Sequence, residues 1–221
     1  MRRLLQTGLL FVGACGGAPP AATQANAAAQ VAAPDSAARR DLAELPPAIR
    51  REVRYATANN FTGAPLPGYG RPVVLLRREA AAALGRVAER LAGQGLALKV
   101  FDGYRPVRAT LAMVAWCERT GRTDLLEQGY IARRSRHNQG VAVDLTLVRL
   151  ADGRELDMGT PYDTFTAAAH TANATGAVAA NRQRLVEAMS AEGFVNYENE
   201  WWHFSIAVAD PVPYDLPLDA W

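Results

Sequence analysis

The chain has 221 residues, 24 Lys and Arg against 22 Asp and Glu, a net charge of +2 and 49% hydrophobic residues. This fits a globular protein with one domain of ordinary size plus extra segments. So even a charge balance gives no reason to expect nucleic acid as a partner. Lys99 is the only lysine, so the positive charge is carried almost entirely by arginine.

Taken in chain order, the first segment reads as targeting rather than fold. Arg2 and Arg3 form a basic start, and Leu4 to Val12 is a short apolar stretch broken by Gln6, Thr7 and Gly8. It is too short for a permanent membrane span and fits a secretory signal. It ends in Val12-Gly13-Ala14-Cys15-Gly16, which resembles the lipobox of bacterial lipoproteins, where the cysteine is lipidated and becomes the mature N-terminus. The alternative is a plain signal peptide that contains a cysteine by chance. The expectation is a lipoprotein-type signal over 1–14 with Cys15 as the lipidation site. The protein would then be exported, periplasmic and tethered to a membrane by its N-terminus alone. Residues 15–40 are rich in alanine and proline without an apolar period, a composition that cannot offset its ordering entropy. They are expected to be a disordered tether, with the folded domain occupying 41–221.

Within that domain, 79–91 carries Leu84, Val87 and Leu91 at helical spacing and stops at Gly93. Residues 96–101 alternate as a strand. Residues 106–118 begin with proline at a first-turn position and continue as a helix. Residues 141–148 form a strand by β-branched content, 181–191 a helix ended by Gly193, and 194–197 and 201–208 two more strands. Helices come early and two clear strands late, which predicts a compact α+β domain with a mainly antiparallel central sheet flanked by helices. Cys117 lies in the apolar pattern of the second helix and reads as a buried, inert thiol rather than a reactive one.

Two of the three histidines fall in short motifs. Ser135-Arg-His137-Asn-Gln-Gly140 leads into the strand that holds Asp144, and Glu200-Trp-Trp-His203 lies near the C-terminus. Two imidazoles and a carboxylate, His137, His203 and Asp144, are the ligand set of a catalytic zinc site with a fourth position for water. Glu200 is then a spare carboxylate for proton transfer. With period two, Ala142, Asp144 and Thr146 share one strand face, suited to a cleft floor, and Val143, Leu145 and Leu147 share the core face. Glu200 and His203 are three apart, so both serve one site only if Glu200 lies in irregular backbone at the strand entry. Singly, each residue has an ordinary structural reading; together they match one chemistry. Trp201 and Trp202 read as packing groups. His170 stays ambiguous between a residue supporting the site and an exposed histidine.

These motifs resemble those of the zinc D-alanyl-D-alanine dipeptidases of the VanX type. Further segments agree in order: Tyr55-Ala-Thr-x-Asn-Asn60-Phe-Thr-Gly63, Asp102-Gly-Tyr-Arg105-Pro and Met158-Gly-Thr-Pro-Tyr-Asp163. The resemblance implies one zinc per chain on His137, Asp144 and His203, with Glu200 as general base and Arg105 stabilising the oxyanion. It places Asp163 and Tyr55 where the dipeptide's free ammonium is held, and Ser135 near the substrate. It implies a fold shared with bacterial D-Ala-D-Ala carboxypeptidases and the Hedgehog signalling domain. The stretch 164–170 is less charged than relatives often have, so the cavity edge is expected to differ there. The implied activity is hydrolysis of D-Ala-D-Ala and similar small dipeptides, with the dipeptide as partner and no obligate protein partner. The rivals are a carboxypeptidase or endopeptidase trimming longer wall peptides, and a non-catalytic wall-binding lipoprotein. The export signal points to cell-wall turnover or D-alanine recovery rather than depletion of a cytoplasmic pool.

Overall fold

The computed structural model describes residues 32–221. The expected signal at 1–14, Cys15 and the tether as far as residue 31 lie outside the described residues. The helix α1 (Asp35–Asp41) occupies what was expected to be the end of the tether. Its Ala38 is fully buried, and Ala33 forms a β-bridge with Tyr214. Ordered contacts therefore begin before the expected boundary at Asp41, which is the last residue of this helix. The alanine-rich composition hid a helix whose signal is its charge order: Asp35 in the first turn, Arg39 and Arg40 in the last, the arrangement a helix dipole favours. Arg39 also donates to the backbone oxygen of Ala220, and the Tyr214 hydroxyl donates to Asp41 at 2.8 Å.

The strand β1 (Leu42–Glu44) is followed by β2 (Arg50–Arg51) and by β3 (Leu75–Arg77), which pairs antiparallel with β1. The helix α2 (Arg78–Ala92) buries Leu84, Val87 and Leu91, as their spacing predicts. The strand β4 (Leu96–Asp102) leads to α3 (Val107–Thr120), where Pro106 takes the N-cap position with a ψ of 144°, so it precedes the first turn rather than sitting within it. A short α4 (Asp124–Glu127) precedes β5 (Ala142–Arg149). The helix α5 (Gly176–Ser190) begins earlier than expected, because 176–180 contributes small residues without an apolar period. The strands β6 (Phe194–Asn196) and β7 (His203–Ile206) follow, β7 being shorter than expected because Trp201 and Trp202 lie in a turn. Among the described residues no helix is long and apolar enough to cross a membrane.

The central sheet has the order β2-β4-β5-β7-β6, and only the β2–β4 pair is parallel. The α+β architecture with a mainly antiparallel sheet is thus as expected. The helices α2 and α5 pack on each other, α2 also on β4, and α5 on β5 and β6. Val143, Leu145 and Leu147 of β5 join the hydrophobic core. The alternate residues Ala142, Asp144 and Thr146 are also buried, so the expected cleft floor lies deep. Cys117 is fully buried with no disulfide partner among the described residues, and burial raises its thiol pKa, consistent with an inert packing group.

Strand register sets the site. Asp144 stands opposite His203 on β7 and opposite Asp102 on β4. The β4–β5 ladder shifts between Val100 and Asp102, a bulge of the kind that re-aims side chains beside active sites. One row across three strands therefore carries two carboxylates and an imidazole.

Candidate active site

His137 enters from a 3₁₀ turn, Arg136–Gln139. The Ser135 hydroxyl oxygen accepts from His137 N at 3.2 Å, and the Asn138 side-chain oxygen accepts from Ser135 N at 3.2 Å. The turn closes at Gly140 with φ of 67°, where a Cβ would meet Leu42 Cδ2 at 2.6 Å; only glycine combines that left-handed backbone with such close packing. Asn138 Nδ2 donates to Arg105 O at 2.9 Å and Arg105 N donates to His137 O at 3.1 Å. The His137 turn and the Arg105 loop therefore form one hydrogen-bonded unit.

The donor atoms of His137, Asp144 and His203 all lie within 4.8 Å of one another. His203 Nδ1 is 2.9 Å and His137 Nε2 3.3 Å from Asp144 Oδ1, and the two ring nitrogens are 3.2 Å apart. His137 Nδ1 donates to Gly103 O at 2.7 Å, which leaves the Nε2 lone pair facing the other two donors. Such an outer partner fixes the tautomer a metal ligand needs. Asp144 Oδ2 accepts from the Tyr162 hydroxyl at 2.9 Å, so Oδ1 is the oxygen turned to the histidines. Burial alone would raise the Asp144 pKa, but His137 and His203 hold the carboxyl well below its usual range. Burial lowers His203 and favours its neutral, ligating form. This donor set fits a divalent ion: two imidazoles and one carboxylate, with His137 and Asp144 each oriented by a partner outside the centre.

Glu200 lies in the turn before β7, as its spacing from His203 requires, with Oε2 3.8 Å from His203 Nδ1. It is 6% exposed. Burial, then the Asp144 and Asp163 carboxylates, push its pKa well above the usual value. Arg105 is nearly buried, with Nε 3.0 Å and Nη2 2.9 Å from Asp102 Oδ2 and Nη2 3.9 Å from Asp144 Oδ2. Burial works against its charge, yet Asp102 and its neighbours raise its pKa well above the ordinary value. Its guanidinium carbon lies 5.1 Å over the Tyr55 ring.

Asp163 has a left-handed backbone, φ of 60°. Its Oδ1 accepts from the Tyr55 hydroxyl at 3.0 Å, while the buried Oδ2 has no hydrogen-bond partner. Burial and the Asp144 charge push its carboxyl up to about 8. The Tyr162 hydroxyl is 3.0 Å from that of Tyr55, so the two phenols link Asp144 to Asp163. The expected catalytic, metal and substrate residues, Tyr55, Arg105, Ser135, His137, Asp144, Asp163, Glu200 and His203, line one cavity of about 270 Å³. Phe165, from the stretch expected to differ, lines it as well. Trp201 is a buried packing group, whereas Trp202 also reaches the cavity wall. His170 does not line the cavity; its Nε2 is 2.9 Å from the hydroxyl of Tyr130, which does.

Sequence reading assigned no role to Asp102, Tyr69 or Tyr162. Asp102 accepts from Tyr69 at 2.6 Å, pairs with Arg105, and stands 3.5 Å from His137 Nδ1. Its signal was a carboxylate ending an apolar strand; Tyr162 had only its adjacency to Asp163.

The comparisons agree with this geometry. The M15 peptidase family model, described as D-ala-D-ala dipeptidase, matches residues 35–217. A D-alanyl-D-alanine dipeptidase of Streptomyces coelicolor is 36% identical over 193 residues, 79% of this chain and 95% of its own. The enzyme of that name from Enterococcus faecium is 35% identical over 196 residues, covering 80% and 96%. That from Escherichia coli is 34% identical over 175 residues, covering 78% and 86%. With the family match spanning most of the chain, this protein belongs to the D-Ala-D-Ala dipeptidase family of metallopeptidases.

Proposed function

We propose that this protein hydrolyses D-alanyl-D-alanine and similar small dipeptides to free amino acids, with one zinc ion held by His137, Asp144 and His203. The observation that carries the dipeptide reading is Asp163 Oδ2, a buried carboxylate oxygen without a partner on the wall of a cavity of about 270 Å³. A free ammonium completes that oxygen's hydrogen bonding and favours the ionised carboxylate; an acylated nitrogen keeps one N–H but has no charge to stabilise that carboxylate.

Zinc, when bound, supplies a Lewis acid that polarises the scissile carbonyl and makes water a better nucleophile. The chain's own residues do the rest. Glu200, buried beside the ligand set, accepts a proton from the attacking water and returns it to the leaving amine. Arg105, charged and held by Asp102, faces the oxyanion of the tetrahedral species. Tyr55 and Tyr162 orient Asp163 and Asp144 respectively. Ser135 already accepts the His137 amide, so its remaining capacity toward substrate is its hydroxyl hydrogen.

The test is a substrate panel with metal analysis. D-Ala-D-Ala should be cleaved by protein carrying about one zinc per chain. N-acetylated D-Ala-D-Ala or a wall pentapeptide should be slower by about two to three decades, the cost of leaving a buried charge unpaired. Comparable turnover of the pentapeptide would establish the carboxypeptidase reading instead.

The basic start, apolar stretch and Cys15 support an exported, lipid-anchored enzyme, with 15–31 as a leash to the folded part. Outside the cytoplasm its substrate is dipeptide released from the wall, and its role is D-alanine recovery. Cys15→Ser should abolish lipid labelling in a bacterial host; equal labelling of both forms refutes the anchor.

A further inference from the structure

Arg182 is a charged side chain on α5 that is 2% exposed and lines no described cavity. Among the described residues it has no carboxylate within ion-pairing distance. All its hydrogen bonds go to backbone carbonyls. Nε and Nη2 donate to Met158 O at 2.9 and 2.7 Å, Nη2 also to Ala168 O at 3.0 Å, and Nη1 to His170 O at 2.7 Å. These carbonyls belong to the two ends of one loop, 158–170. A buried charge whose hydrogen bonds all go to dipoles, with only the more distant Asp157 carboxylate in its favour, is costly, and a guanidinium is the one side chain whose rigid fork reaches carbonyls on both sides at once.

Between those ends the loop carries Tyr162, which donates to Asp144, and Asp163, with its unpartnered Oδ2. The backbone of Asp163 is in the left-handed region, uncommon for a non-glycine residue though more accessible to aspartate than to most. The same loop is tied to the Glu200 turn: Trp201 Nε1 donates to Thr160 Oγ1 at 2.9 Å and Trp201 N to Ala169 O at 3.0 Å. We propose that Arg182 is a positioning residue that sets recognition of the substrate ammonium by clamping together the two ends of the Asp163 loop, which Trp201 in turn ties to the segment bearing Glu200. This rests on the reading of Asp163 given above.

The experiment is a double-mutant cycle on kcat/KM for D-Ala-D-Ala, using Arg182→Lys, Asp163→Asn and their combination in zinc-loaded protein. Arg182→Lys keeps the charge but cannot span the three carbonyls. It should lower kcat/KM about tenfold, the equivalent of one charged hydrogen bond, mainly through KM and with zinc retained. In the Asp163→Asn background the same change should cost less than about twofold, because residues coupled through one loop backbone are not additive. Arg182→Gln, planar but uncharged, should follow the same pattern. Equal losses in both backgrounds, or loss of zinc and cooperative unfolding in both Arg182 variants, would make Arg182 a general structural residue and overturn the assignment. Asp163→Asn with near wild-type kcat/KM would instead refute the ammonium reading itself.

Discussion

The floor and the wall of the cavity are built by different means. The floor is sheet: Asp144 and His203 sit on directly paired strands, and His137 is held by a capped turn and by Gly103 O. The wall is loop: Asp163 comes from a segment without strand or helix at that position, in a left-handed conformation, with one oxygen unpaired. Ladder hydrogen bonds fix the floor to a geometry that a metal ion requires. Side-chain clamps fix the wall, and its open hydrogen-bonding capacity is available to a ligand. The contrast separates what makes the enzyme reactive from what makes it selective.

Breaking the floor has the largest expected effect. His203→Ala should lose zinc and activity together, since two remaining ligands hold the ion poorly. Glu200→Gln sharpens the contrast, because the residue lies beside the floor without being needed to complete it. It should keep about one zinc while kcat falls by roughly 10²–10⁴, the usual contribution of a positioned acid–base group. Metal content measured beside kcat for both variants checks this; a Glu200→Gln protein without zinc would mean that Glu200 is a ligand. The smallest effect is expected from behind the floor. A Cβ on Gly103 would meet Leu75 O and Val74 Cγ1, each at 2.7 Å. Gly103→Ala should therefore cost about 1–3 kcal/mol in stability. By shifting the carbonyl that orients His137, it should also weaken zinc binding about 10–100-fold. Thermal unfolding and competition with a chelator measure the two, and excess zinc should restore most of the activity.

How much of this was legible in the sequence follows the same division. His137, Gly140 and Asp144 are close in the chain, and period two assigned Asp144 to the side facing away from the core. The three-residue gap between Glu200 and His203 was enough to require irregular backbone, and the structure has a turn there. Asp102 was missed because its approach depends on a ladder shift between Val100 and Asp102, which no local pattern encodes. Arg182 was missed because an arginine on an amphipathic helix ordinarily reads as solvated. Tyr55 and Asp163 are 108 residues apart in sequence, and their pairing was reached by resemblance alone. The early helix α1 was hidden because the buried Ala38 carries little hydrophobic signal.

The bridge between Ala33 and Tyr214, with Arg39 on Ala220 and Tyr214 on Asp41, brings both ends of the described chain to one place. The catalytic unit is accordingly a ring in all but one covalent link. Neighbouring ends are what circular permutation exploits, and exposed loop tips are where new ends are best tolerated. The exposed turn at Ala151 and Asp152, at the far end of β5 from Asp144, is such a place. Joining the old ends and opening the chain there leaves every strand pairing around the metal floor intact. The order in which the chain visits its elements is therefore separable from the chemistry those elements assemble.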